Sequence, residues 1–213
     1  MKNNKQFILR FCGMLIGVLL LGLGESLLIY TGWGVDPLGA LSLSVSHLSG
    51  LPYGTCMLME NIVLLAFELI LARKLIGIGT LCNMVLIGYV AGFFSEQWSR
   101  LPFLTGQSLA ARVTALVVGL AVFTVAAAMY MAAGLGIGAY DWFPIWLARR
   151  TKKPSLRLIR ILWDGAFALL ALIFGRGLGI GVVTLGVVLA LGPVIESLGN
   201  WLTARVYATE NLG

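Results

Sequence analysis

Charge is what this chain has least of. Only 11% of its residues are charged, it holds a single histidine (His47), and its three cysteines (Cys12, Cys56 and Cys82) show no CxxC spacing. An ordinary soluble domain carries about 25% charged residues. An odd number of cysteines in apolar segments excludes a disulfide framework and leaves them as small packing residues. A lone histidine with no His or Cys at ligand spacing excludes a histidine-based metal site. HExxH, a serine–histidine pairing, an acidic metal cluster and a nucleotide-binding motif are all absent from the sequence, which predicts a protein that is not an enzyme and has no cofactor.

What is present is apolar. Residues of the hydrophobic class make up 59% of the chain and the mean hydropathy is +0.95. Six runs approach or reach the ~20 residues needed to cross a ~30 Å hydrocarbon layer: approximately Phe7–Tyr30, Tyr53–Ala72, Ile78–Trp98, Leu109–Ala132, Leu156–Phe174 and Ile180–Trp201. Lys2 and Lys5 precede a run longer than a signal peptide's core, with no small-residue cleavage site after it, so the first run counts as a span. The expected solvent is a lipid bilayer.

The net charge of +6 does not make a basic face, which excludes a nucleic-acid partner. Its residues cluster at span ends. With the N-terminus inside, Lys2, Lys5, Arg10, Arg73, Lys74, Arg149, Arg150, Lys152, Lys153, Arg157, Arg160 and Arg205 fall on the cytoplasmic side, and Arg100, Arg112 and Arg176 outside. That bias predicts six spans of a bacterial cytoplasmic (inner) membrane with both termini cytoplasmic. Trp98, Trp142, Trp146 and Trp201, near span ends, read as interfacial anchors.

The chain also resembles itself. Gly32, Gly34, Pro52, Ala66, Gly77, Ile78 and Gly79 recur 102 positions later as Gly134, Gly136, Pro154, Ala168, Gly179, Ile180 and Gly181. Each half has three spans, an odd number, so the second copy must cross in the opposite sense. This predicts an all-α membrane protein of two inverted three-helix repeats, residues 1–104 and 105–213, in one membrane domain. After the first span of each half a short helix is expected, too short to cross, either interfacial or re-entrant. In the first half Asp36 is its candidate N-cap, Pro37 its first residue and Gly50 lies beyond its end; in the second it starts at Asp141. GLGIG before Asp141 is then a turn between helices, since a dinucleotide fingerprint needs a preceding strand.

The patterns GxGxxPxxxL (Gly32 to Leu41), PYGT (Pro52–Thr55), GIGTLCN (Gly77–Asn83) followed by Gly88, and GIGAYDW (Gly136–Trp142) resemble the YczE-like (YczE/YyaS/YitT) group of small bacterial membrane proteins. The resemblance covers nearly the whole chain. It implies a multi-pass inner-membrane protein with a role in export or production of secondary metabolites. The group's first half carries Pro-Trp-Asp, from which Pro37-Leu38-Gly39 departs, whereas Tyr140-Asp141 keeps the acid.

An ionisable group deep in a span costs at least ~2.5–3.5 kcal/mol, so it needs a reason. Glu25, Glu68, Glu96 and Glu196 lie within a few residues of span ends and read as solvated. Glu60 and Asp164 are ~10–12 Å deep on corresponding spans. Arg160 shares a helix face with Asp164, and Asn61 adds an amide. Glu60, Asn61, Arg160, Asp164, Asp36 and Asp141 are therefore the candidate substrate- or cation-binding residues; the structural alternative is a buried polar network in which Arg160 bridges both deep acids and staples span two to span five. Inverted halves with buried acids predict a secondary transporter or exporter of a small organic molecule, coupled to protons or another cation, with its site between the repeats. The alternative is a non-transporting scaffold or regulator, which suits the small-residue faces Gly13/Gly17 and Gly88/Gly92.

Overall fold

A computed structural model describes residues 2–101, 108–151 and 155–207, and no strand occurs among them. Lys152, Lys153 and Pro154, which belong to the charge bias and the repeat, lie outside the described residues. Six helices are long and apolar enough to cross a membrane: α1 (Lys2–Thr31), α3 (Tyr53–Leu71), α4 (Ile78–Arg100), α5 (Leu109–Ala132), α7 (Leu156–Gly175) and α8 (Val182–Tyr207). They coincide with the six apolar runs. Among the described residues two shorter α-helices join them, α2 (Pro37–Ser49) and α6 (Trp142–Arg150), and a 3-10 turn lies at Arg73–Leu75.

Local chemistry fixes α2 at both ends. Asp36 Oδ2 accepts the Gly39 N–H at 3.1 Å, Pro37 opens the first turn, and Gly50 closes the helix at φ 71° with its N–H on the Ser46 carbonyl. This helix is packed inside the protein. Pro37 to Ser42 and Ser44 are buried, and Ser44 Oγ donates to the Ala171 carbonyl of α7 at 3.2 Å. At the start of α6, Asp141 makes no side-chain cap. Trp142, expected at an interface, is only 2% exposed and packs edge-on against Phe143 and Trp146.

The centre is the close packing of α1 on α5, and it is reciprocal. A Cβ on Gly17 would meet the Ala126 carbonyl and the Tyr130 amide; one on Gly119 would meet the Gly24 carbonyl and Leu28. The turns after these helices match too, with φ 65° and 111° at Gly32 and Gly34 against 66° and 123° at Gly134 and Gly136. Val35 N–H donates to the Gly179 carbonyl and Ile137 N–H to that of Leu75, both at 3.0 Å. Gly79 N–H donates to Leu135 and Val183 N–H to Trp33. Arg112 Nε donates to the Thr31 carbonyl at the end of α1, and the Arg10 guanidinium lies beside Gly134 at the end of α5.

These pairs also show a shift. Gly77 and Gly181 are the equivalent N-caps of α4 and α8, each with its N–H on the hydroxyl of the threonine three residues on, Thr80 and Thr184. The offset is thus 102 through the first turn and 104 here. The ungapped alignment pairs Gly79 with Gly181; two extra residues before α8 move the match to Gly77.

The outer helix pairs differ. Where α3 meets α4, Gly54 and Gly88 bring the backbones into contact, and a Cβ on Gly88 would lie 2.9 Å from Met57 Cβ. Gly192 stands at the place of Gly88 in α8, and a Cβ there would meet nothing closer than Arg160 Cδ at 3.8 Å. Pro193 follows, and its missing N–H releases the Leu189 carbonyl. The helix answers with a π segment at Val187–Leu191, and Arg157 Nη2 sits 3.5 Å from that carbonyl.

Candidate functional site

Three spaces bear on the candidate residues. A cleft of about 460 Å³ opens between α7 and α8, bounded by Arg149, Arg157, Glu196, Asn200 and Thr203, and ends at Arg160. A second cleft, of about 490 Å³, opens between α3 and α4 and ends at Tyr53 and Gly54. Counted at the offsets of 102 and 104, Leu43, Gly54, Tyr89, Ser95 and Ser99 of one correspond to Ile145, Leu156, Pro193, Gly199 and Thr203 of the other. Between them is a smaller cavity of about 100 Å³ lined by acids from both halves, Glu25, Asp36, Asp141 and Asp164, together with Asn61, Asn83, Tyr130, Tyr140 and Arg160. Arg160 borders both this cavity and the α7–α8 cleft.

The second-half side of the cavity is an ion-paired network. Arg160 Nη2 donates to Asp141 Oδ1 at 2.7 Å, and its Nε is 3.8 Å from Asp164 Oδ2. Asp164 Oδ1 accepts the Tyr140 hydroxyl at 2.5 Å. An aromatic wall holds Tyr140 in place: its ring meets Phe167 edge-on at 5.0 Å, and Trp163 Nε1 donates to its carbonyl. One guanidinium thus compensates two carboxylates, the arrangement that makes burial of all three tolerable.

The first-half side has no cation. Glu25 is fully buried on the α1 face that also carries Val18, Leu21 and Leu28. Its Oε1 accepts the Tyr53 hydroxyl, Glu25 Oε1 and Asp36 Oδ1 converge on the space beside Gly39, and Glu25 Oε2 and Asp36 Oδ1 have no partner among the described residues. The two halves reach this geometry in different registers. At the offset of 102, Asp36 corresponds to Gly138 and Gly39 to Asp141. A Cβ on Gly39 would collide with Asp36 Oδ1 and Glu25 Oε1, and one on Gly138 would lie 3.3 Å from Asp141 Oδ2. Each acid fills the space left by a glycine three residues away.

Of the residues expected from the sequence, Asp36, Asn61, Asp141, Arg160 and Asp164 line one cavity. Glu60 does not join them. Its Oε2 accepts the Ser42 hydroxyl at 2.5 Å, and Arg160, expected to bridge Glu60 and Asp164, instead binds Asp141. Asn61 Nδ2 is taken up by the Met57 carbonyl. Glu25 and Glu68 escape a reading by sequence position, since both are 0% exposed rather than solvated; neither carboxylate oxygen of Glu68 has a partner. Nearness to a span end does not report burial: the Tyr53 hydroxyl and the first turn of α2 at Gly39 close on Glu25. Tyr53 stands in the sequence only as part of PYGT, yet it is the hydroxyl that meets Glu25. Among the described residues no group of three or more His, Cys, Asp or Glu side chains is arranged to hold a metal ion.

The profile of a family of unknown function, DUF6198, matches residues 8–200. An uncharacterized protein from Bacillus subtilis, YyaS, is 29% identical over 202 residues, covering 92% of this chain and 94% of its own. An uncharacterized protein from Haemophilus influenzae is 23% identical over 188 residues, covering 88% of this chain and 82% of its own. No solved structure matches.

Proposed function

Because the chain belongs to DUF6198 and is a YczE/YyaS-like protein, a membership that assigns no activity, we propose from its own residues that it is a secondary transporter of a small organic molecule working by alternating access. In this reading the six long helices cross a bacterial cytoplasmic membrane with both termini inside, as two inverted repeats of three spans and one short re-entrant helix each. Reciprocal contacts support the repeat, since a two-fold relation makes every contact occur twice with the partners exchanged. Two bacterial relatives and the clustering of basic residues at the α6 and α7 ends support the membrane and its orientation.

The observation that carries the reading is the unequal access of two corresponding clefts to the central cavity: the α7–α8 cleft shares Met131, Arg160, Gly192 and Ile195 with its lining, and the α3–α4 cleft shares none of it. The α7–α8 cleft, cytoplasmic in this orientation, runs to Arg160 at the edge of the central cavity, and its external counterpart stops at Tyr53 and Gly54. An inverted-repeat transporter open to one side has this asymmetry, and exchanging the conformations of its halves opens the other side around a fixed site. The Asp141–Arg160–Asp164 network is then the polar end of the substrate site.

Single cysteines in a cysteine-free background test this. Asn200→Cys lies in the α7–α8 cleft and Gly92→Cys in the α3–α4 cleft. Gly88→Leu is a wedge that forces α3 from α4. Alternating access requires the wedge to raise the reaction of Gly92→Cys with an impermeant maleimide from outside and to lower that of Asn200→Cys from inside, each several-fold. An unchanged Asn200→Cys rate beside a raised Gly92→Cys rate makes the two clefts independent and leaves the scaffold reading.

A further inference from the structure

We propose that Glu25, Asp36 and Tyr53 form a proton-binding site, in which the two carboxyls share one proton that exchanges with the α3–α4 cleft through the Tyr53 hydroxyl. The inference deepens the transport reading, and only its last consequence, that the proton is the coupling ion, rests on it.

The geometry is that of two acids with nothing to neutralise them. Glu25 is fully buried, Asp36 lines the same cavity, and neither has an ion-pair partner among the described residues. Two adjoining carboxylates cannot both remain ionised in a buried site, whereas a carboxyl–carboxylate pair sharing one proton carries a single charge. Two atoms are placed for that proton to reach: Glu25 Oε2 and Asp36 Oδ1 are both without a donor. Gly39 makes the room, since any Cβ there would occupy the space where Glu25, Asp36 and the Tyr53 hydroxyl converge.

The surroundings set the charge balance. From α3 the pair faces Tyr53 and Glu60, from α5 Tyr130, and from the segment before α6 and from α7 Tyr140, Asp141, Arg160 and Asp164. The positions of α4 and α8 that line the cavity are not titratable. Arg160 is committed to Asp141 and Asp164, so no counter-charge is left over for the first-half pair. Tyr53 supplies the path. Its hydroxyl donates to Glu25 and the residue borders the α3–α4 cleft, so the route from solvent to Glu25 is one hydroxyl long. At the opposite cleft the residue that borders both cleft and cavity is Arg160, a fixed cation that admits no proton of its own.

Infrared spectroscopy of the full chain in nanodiscs, in H₂O and D₂O across a pH series, reads the proton without any transport. A protonated buried carboxyl should give a deuterium-sensitive carbonyl band at neutral pH. Glu25→Gln and Asp36→Asn should each abolish it, and Tyr53→Phe should keep it at a shifted frequency. Two variants guard against one failing to fold. No band in the folded wild type at neutral pH overturns the proposal. So does a band that survives both Glu25→Gln and Asp36→Asn, which would belong to Glu60 or Glu68, or one abolished by replacing choline chloride with sodium chloride, which would make the site one for a metal cation. A band lost in both variants together with independent clefts in the cysteine experiment keeps the proton site and removes the transporter; the converse removes the proton site alone.

Discussion

The α3–α4 and α7–α8 clefts are lined at corresponding positions, yet only the second shares its lining with the central cavity, and the difference lies in backbone packing more than in the groups that line them. Gly88 lets α4 lie directly on Gly54, whereas its counterpart Gly192 has open space before it and is followed by Pro193 and preceded by a π segment. The polar centres differ in a complementary way. On the open side Arg160 neutralises Asp141 and Asp164; on the closed side Glu25 and Asp36 meet with no cation. The pattern shared by the two halves thus carries one ion-paired end and one end where two acids meet without a cation among the described residues.

The largest effect is expected where this comparison rests on a single side chain. Arg160→Ala leaves Asp141 and Asp164 without their cation and should cost about 3 kcal/mol, the low end for a broken buried pair because the side chain is 26% exposed. It is read as loss of the monodisperse peak after heating in detergent. Adding Asp141→Asn should recover part of the loss; no recovery would mean the pair is not what holds this end.

Next are the two positions where the halves should behave alike. Gly77→Ala and Gly181→Ala each drive a Cβ into a carbonyl oxygen, of Leu135 and of Trp33. Both should lose about 2–3 kcal/mol, measured by the same heating assay, and by similar amounts. A large loss at one and none at the other would break the equivalence that the offset of 104 asserts.

A smaller effect separates the clefts themselves. Gly88→Ala must displace Met57 and should destabilise by about 1–2 kcal/mol, while Gly192→Ala should stay within about 0.5 kcal/mol of the wild type. Equal costs would mean that both pairs are closed in solution. Smallest of all, Tyr140→Phe removes one hydrogen bond to Asp164 and should cost about 1 kcal/mol, less than Arg160→Ala because Arg160 still holds the carboxylate.

Most of the frame is legible in the amino-acid sequence. Apolar runs of span length mark the six long helices, and Asp36, Pro37 and Gly50 mark α2 nearly to the residue. The site is half legible. Asp164 and Arg160 can be found because depth along an apolar run and i,i+4 spacing are one-dimensional facts. Glu60 is found by the same reasoning, but the rotation of α3 turns it to Ser42 and out of the cavity lining. Glu25 and Glu68 are passed over since position along a helix does not say which neighbour covers it.

What the sequence determines by itself is therefore everything governed by transfer from water and by local backbone chemistry: which segments leave water, where they begin and end, and that two halves share a pattern. What only the tertiary structure decides is which polar groups meet. In a helix that is apolar on every side no stripe marks the buried face, so the rotation of α1 that sets Glu25 against Asp36 and Tyr53, and the splaying of α7 from α8 at Pro193, come from the fit of neighbouring backbones, which no segment carries alone.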